Sequence, residues 1–170
     1  MNQEQARRQK FEDCVQQCAD SLYRVAYRLT GTQSSASDLV QETYVNAWKG
    51  LDSLKDDSRM RSWMFAILRN QYSKFVRKES RMVNADNMQQ TVVDTGPDQH
   101  KEAVHDAVQM AINQLDETHK LPLLLVSIEG MSTEQAAIIL EIPKGTVLSR
   151  LHRARQKMKS YLQRETSLFS

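Results

Sequence analysis

The sequence predicts an all-α protein: two small helical domains joined by a flexible linker, the C-terminal one carrying a helix-turn-helix. Three observations lead to that class. Apolar residues recur at steps of three and four along most of the 170 residues, the spacing of one helix face, and no strand-like alternation runs to a useful length. Helix breakers are scarce, with five Gly and three Pro in the whole chain. Between residues 82 and 100 the composition turns polar: Asn84, Asp86, Asn87, Gln89, Gln90, Thr91, Asp94, Thr95, Gly96 and Pro97 are interrupted mainly by Val92 and Val93. Such a stretch cannot bury enough apolar surface to order itself, so the chain divides into 1–81, a linker at 82–100, and 101–170. A polar linker lets the two domains take more than one mutual arrangement.

In chain order, the first helix is expected from about residue 4 to 29, because Phe11, Val15, Cys18, Leu22, Val25 and Leu29 share a face. Gly31 ends it. Ser34 or Ser35 is the expected cap of the second helix, which runs to about Trp48 and is closed by Gly50. Its inner face is Ala36, Leu39, Val40, Thr43, Tyr44, Ala47 and Trp48; Asp38, Gln41 and Glu42 lie on another face. A polar loop from Asp52 to Ser58 leads to a third helix, Met60 to Arg81, with Trp63 or Met64, Ile67, Leu68, Tyr72 and Phe75 inside. From Lys55 to Arg81 there are eight basic residues against three acidic. Basic residues interleaved with Trp63, Phe65, Tyr72 and Phe75 suit nucleic acid, since bases stack on aromatic rings while phosphates pair with Arg and Lys. The same rings can equally be core, and for Trp63 and Phe75 both readings stay open. A fourth helix, Lys101 to Leu115, turns Val104, Val108, Ala111, Ile112 and Leu115 inward, and a fifth runs from about Leu121 to Glu129 with Pro122 in its first turn.

The last stretch is the most informative. Gly130 suits a left-handed helix stop, and Ser132 with Gln135 forms a capping box for a helix whose small apolar face is Ala136, Ala137, Ile139 and Leu140. Pro143 and Gly145 mark a tight turn, Thr146 is the expected cap of the final helix, and Val147, Leu151, Ala154 and Met158 face inward. From Lys144 to Arg164 there are seven Lys or Arg and no carboxylate, although the whole chain is only +2. The remaining residues hold 16 basic against 21 acidic side chains. A basic helix on an otherwise acidic chain is an electrostatic footprint for a phosphate backbone, and the short turn fits a helix-turn-helix whose second helix enters the major groove.

Other function classes find little support. Five scattered glycines build no phosphate-binding loop, the four histidines have no metal-ligand spacing, and no Ser or Cys stands in a nucleophile motif. No catalytic residue, metal site or cofactor is therefore expected. Cys14 and Cys18, one helical turn apart, read as buried thiols rather than a zinc or redox site. No run approaches the about 20 apolar residues of a membrane span, and Met1 to Lys10 has no signal-peptide apolar region, so a cytoplasmic location is expected.

Three stretches resemble the ECF sigma factors, small bacterial transcription initiation factors. They are Ser37 to Trp48 (SDLVQETYVNAW), Arg61 to Asn70 (RSWMFAILRN) and Ile142 to Arg155 (IPKGTVLSRLHRAR). The resemblance, which spans about residues 10 to 165, implies two helical domains, regions 2 and 4, that bind core RNA polymerase and direct it to promoter DNA. It implies that Asp38, Gln41 and Glu42 dock on a basic helical coil of the polymerase; these three share one helix face, though Asp38 can also partner a capping Ser35. It implies that Leu54, Lys55, Ser58, Arg61, Trp63 and Asn70 read the minus-ten element where a base leaves the stack, with Arg69, Lys74, Arg77 and Lys78 on the strand backbone. The minus-thirty-five element would meet Lys144, Thr146, Leu148, Ser149, His152, Arg153 and Arg155. An anti-sigma factor that wraps the two domains is a further implied partner. Two positions depart from the family pattern: Leu148 stands where Lys or Arg is common, and Glu141 where Gly is common. A helix-turn-helix repressor would account for Thr133 to Arg155 but not for the first two stretches, and an enzyme on a helical scaffold has no constellation to support it.

Overall fold

The structure is a computed structural model that describes residues 2–83 and 99–168. It is all-α, with no strand among the described residues. The expected linker therefore falls mostly on residues outside the described ones. Its edges, 82–83 and 99–100, are helical.

Helix α1 spans Gln3–Thr30 and ends where Gly31 takes φ 77°, its N–H donating to the Tyr27 carbonyl at 2.7 Å. Glycine is needed there because a side chain strains the left-handed region. Helix α2, Gln33–Gly50, is capped by Thr32, whose Oγ1 accepts from the Ser35 amide at 3.2 Å. The expected cap at Ser34 or Ser35 is corrected accordingly, and Asp38, six residues beyond the cap, has no capping role. Gly50 is the last residue of α2, and two short 3-10 turns, Leu51–Ser53 and Asp57–Arg59, form the loop before α3, Met60–Val83.

Helix α4 covers Gln99–Asn113, with Ala111 and Ile112 inward; Val104, expected inside, is 64% exposed. Helix α5 starts earlier than expected, at Glu117, and ends at Leu123. Pro122 is thus its sixth residue and supplies no N–H to the carbonyl one turn back. Immediately after, the ladder widens to π spacing over Leu124–Ile128, with the Glu129 amide donating to the Leu124 carbonyl at 3.0 Å. The bulge ends at Glu129, whose carboxylate meets Arg24 of α1 and Arg61 of α3, and π-bulges of this kind gather at functional positions.

Helix α6, Thr133–Leu140, carries the expected capping box, in which Ser132 Oγ accepts from the Gln135 amide at 3.1 Å and Gln135 Oε1 from the Ser132 amide at 2.9 Å. Helix α7 begins at Lys144 and runs to Leu168, so Thr146 lies inside the first turn instead of capping it; its amide donates to the Pro143 carbonyl at 2.9 Å. The turn between α6 and α7 holds the one positive-φ residue other than glycine among those described, Glu141 at φ 54° and ψ 42°. A left-handed L-residue costs roughly 1–2 kcal/mol, part of which glycine returns as extra unfolded-state entropy. Glu141→Gly should therefore stabilise the protein by about 1 kcal/mol. Urea denaturation monitored by circular dichroism checks this; a loss of stability would mean that the Glu141 side chain matters more than its backbone.

One apolar core runs through both halves of the chain. Leu22, Val25, Leu29, Met64, Phe65 and Leu68 pack in the same buried cluster as Ile112, Leu121, Leu124, Leu125, Ile139 and Val147. Each such side chain contributes roughly 1.5–3 kcal/mol by leaving water. The two halves of the chain are thus packed against each other across this core. A second, smaller cluster of Cys14, Leu51, Leu54 and Met60 anchors the loop between α2 and α3 beneath Phe11 and Trp63. Both cysteines are buried free thiols, with burial raising their pKa values.

Candidate nucleic-acid and polymerase interface

Helix α2 turns Asp38, Gln41 and Glu42 out to solvent because Leu39, Val40 and Thr43 are drawn into the core. The three line a cleft of about 610 Å³ whose other wall is α3, through Lys74, Phe75, Lys78 and Glu79. Carboxylates of α2 thus face ammonium groups of α3 across an open channel.

The loop and α3 sort the expected strand readers into three groups. Lys55 and Ser58 are exposed, and the Ser58 amide and Oγ both donate to Asp56 Oδ1, at 3.0 and 2.6 Å, which holds the loop tip. Leu54 is a correction: it is 5% exposed and its side chain anchors the small cluster, because the 3-10 turn at Leu51 folds the loop back onto α1. Trp63 is half-buried on the same cluster. Asn70 and Arg69 lie together, with Arg69 Nη2 donating to Asn70 Oδ1 at 2.7 Å. They line a cleft of about 630 Å³ with Asn46, Lys74, Arg77 and, from α6, Leu140. Phe65, expected among the aromatic stacking residues, has no exposed surface and is core. Tyr72 is also buried, its hydroxyl hydrogen-bonded to Glu117 of α5. Burial and that carboxylate both push its phenol pKa up, so it remains a donor.

On α7, Leu148, Ser149, His152, Arg153 and Arg155 are all exposed and share the outward face, since Val147, Leu151 and Ala154 are buried. Arg155 Nη2 donates to Ser127 Oγ at 3.2 Å. Lys144 pairs with Glu134, and Ser149 Oγ donates back to the Thr146 carbonyl at 3.0 Å.

Sequence reasoning missed a set of polar contacts between the two halves. Glu129, whose side chain is 1% exposed, is held by Arg24 of α1 at 2.8 Å and by Arg61 of α3 at 2.9 Å. Burial pushes the Glu129 carboxyl up, but hydrogen bonds from Arg24, Ser21 and Arg61 outweigh it and hold the group below the usual carboxylate range. Arg28 donates to Gln109 Oε1 at 3.2 Å, and the buried Gln109 amide donates to the Arg28 carbonyl at 3.1 Å. Arg69 also pairs with Glu141 at 3.2 Å. One signal was available: Arg24 and Arg28 stand one turn apart on a helix expected to pack by its other face.

Residues 14–82 match the family model for Sigma-70 region 2, and residues 105–158 match that for Sigma-70, region 4. The ECF RNA polymerase sigma factor EcfG of Rhodopseudomonas palustris is 34% identical over 153 residues, which cover 89% of this chain and 84% of that one. The chain belongs to the ECF sigma factors. SigE of Mycolicibacterium smegmatis, another ECF RNA polymerase sigma factor, is 31% identical over 170 residues; the match takes in 96% of this chain, which spans 66% of that relative's length. Among solved structures, the sigma factor RpoE of Bartonella quintana, in complex with the anti-sigma factor NepR, superposes with a TM-score of 0.80 at 30% identity, covering 90% of this chain and 96% of that one. CnrH, in complex with the cytosolic domain of CnrY, gives a TM-score of 0.68 at 26% identity over 90% and 87% of the two chains. Sigma factors are promoter-directed transcription initiation factors that bind core RNA polymerase, and this chain carries both of their matched regions. No described helix is long and apolar enough to cross a membrane, and among the described residues no cluster of His, Cys, Asp or Glu could hold a metal ion.

Proposed function

We propose that this sigma factor directs core RNA polymerase to promoters with a division of labour between its regions, residues 1–81 serving as region 2 and 101–170 as region 4. Asp38, Gln41 and Glu42 dock on the polymerase. Lys55, Ser58, Arg61, Trp63, Arg69, Asn70, Lys74 and Arg77 take the opened minus-ten strand. Lys144, Leu148, Ser149, His152, Arg153 and Arg155 meet the minus-thirty-five duplex, with Thr146 in the first turn behind them. The observation that carries the reading is the outward face of α7, basic and free of carboxylates, on the same chain as the exposed acidic face of α2. Phosphate backbone attracts the first and repels the second, so the two faces suit different partners.

The chain acts without catalytic residues of its own, in the cytoplasm where polymerase and DNA are. An anti-sigma factor is a further partner, supported by the likeness to RpoE of Bartonella quintana, solved in complex with the anti-sigma factor NepR. Transcription from genomic DNA by core polymerase, with and without the chain, tests the reading. New start sites sharing sequence near minus ten and minus thirty-five are expected, and an unchanged transcript pattern would refute it.

A further inference from the structure

Leu148 is the fifth residue of α7 and stands on its outward face, 48% exposed. Packing within the chain does not ask for an apolar side chain there. Val147, Leu151 and Ala154 already fill the core side of the helix, and the neighbours of Leu148 on the outer face, Lys144, Ser149 and His152, are polar and exposed. About half of the leucine is left in water, and covering it against an apolar group of a partner is favourable.

A single exposed leucine is ordinary on a protein surface. The surroundings of this one point to a base edge. The polar groups on either side are engaged within the chain: Lys144 pairs with Glu134 of α6, and Ser149 Oγ donates to the Thr146 carbonyl at 3.0 Å. Gly145, three residues earlier, has open space where a side chain would stand, with no atom within 4 Å. The backbone at the start of α7 can therefore come close to a groove floor. The N-terminal residues of the second helix in a helix-turn-helix are those that meet base edges, and Leu148 is one of them.

Leucine brings no hydrogen-bonding group, and that decides what it can read. In the major groove adenine, guanine and cytosine present donors and acceptors, which a leucine would strip of water without replacing their hydrogen bonds. Thymine alone carries an apolar group on that side, its C5-methyl. Packing the leucine against that methyl covers apolar surface on both partners. We propose that Leu148 is a specificity-determining residue that selects a thymine at one position of the minus-thirty-five duplex by contact with its C5-methyl group. The inference rests on the reading of α7 as the minus-thirty-five helix and deepens it: His152 and Arg153 offer hydrogen bonds, and Leu148 adds an apolar contact.

The test uses holoenzyme assembled from core polymerase and the full chain, on a duplex promoter identified by transcription from genomic DNA. Each thymine of the minus-thirty-five element, on both strands, is replaced singly by deoxyuridine, which removes the methyl group and keeps every hydrogen-bonding group of the base. Gel shift of the closed complex at one fixed salt concentration reads affinity, with a duplex of scrambled minus-thirty-five sequence as reference. One replacement should weaken wild-type binding about fourfold, the value of one methyl group taken out of water. In Leu148→Ala the same replacement should change nothing. Leu148→Met, which keeps an apolar side chain of similar length, should retain most of the sensitivity. A wild type indifferent to deoxyuridine at every position would overturn the proposal, as would an element without thymine or an equal loss in Leu148→Ala. A holoenzyme that binds the scrambled duplex as well as the promoter would remove the reading of α7 itself, and the proposal with it. A sequence-dependent complex that ignores the methyl groups would remove the role of Leu148 alone.

Discussion

Asp38→Lys combined with Glu42→Lys should weaken binding to core polymerase on the order of a hundredfold while leaving the helical content unchanged. Both side chains are exposed on α2, with Leu39, Val40 and Thr43 holding the helix from beneath, so the fold does not depend on them. Their proposed target is a basic helical surface. Reversing two charges replaces two attractions with two repulsions, and like charges brought together across an interface cost several kcal/mol. The effect should appear mainly in the association rate and should shrink as salt rises. A pull-down against core polymerase at two salt concentrations, with circular dichroism as the control for folding, measures it. Unchanged affinity with a normal spectrum would place the docking surface elsewhere on the chain.

Phe65→Ala should destabilise the protein by about 3–5 kcal/mol, a large part of the total for a domain of this size. The ring has no exposed surface and lies in the core shared by both regions, beside Met64 and Leu68. A urea titration reads the loss directly. Phe65→Leu keeps most of the volume and should cost much less. The pair separates the two readings that the sequence left possible for this aromatic. A ring that stacked on bases would lose DNA binding in both variants with little change in stability, and that outcome would contradict its place in the core.

Much of the fold was legible because each helix carries its own evidence. The faces of α1 and α7 repeat at three and four residues, Gly31 marks the end of α1, and Ser132 with Gln135 marks the start of α6 by capping chemistry. Ambiguity entered where several residues could play one part. Thr32, Ser34, Ser35 and Ser37 all lie within six residues, and only the three-dimensional turn selects Thr32 as the cap. Trp63, Met64 and Phe65 are consecutive and apolar, so the phase of α3 is uncertain by one residue, about 100° on a helix. That one step decides between Phe65 as stacking platform and Phe65 as core. The start of α5 was hidden because Glu117 to Lys120 is polar and the apolar run begins only at Leu121. Val104 follows the right period yet stays exposed, since a periodic face says nothing of where the neighbouring helix ends.

The candidate site divides in the same way. The acidic face of α2 and the basic face of α7 follow from spacing within one helix, and the structure exposes both. The Glu129 site does not follow from any local pattern. Its partners Arg24 and Arg61 are 105 and 68 residues away in sequence, and a carboxylate at the end of an apolar stretch reads as a solvated loop. Burial of that carboxylate depends on the π-bulge and on the packing of two regions against each other, neither of which a single sequence displays.

The division of labour between the two DNA surfaces is tested most directly by permanganate footprinting of the melted region, run beside gel shift on the duplex promoter at one fixed salt concentration. The wild-type holoenzyme is compared with Asn70→Ala and Arg153→Ala. Arg153 projects from the outward face of α7 and Asn70 from α3, so the account predicts that Arg153→Ala weakens the closed complex by about 1–3 kcal/mol. Asn70→Ala should leave that closed complex nearly intact and lose permanganate reactivity at the minus-ten element. If Asn70→Ala instead weakened duplex binding as much as Arg153→Ala and left strand opening unimpaired, the assignment of one task to each region would be contradicted.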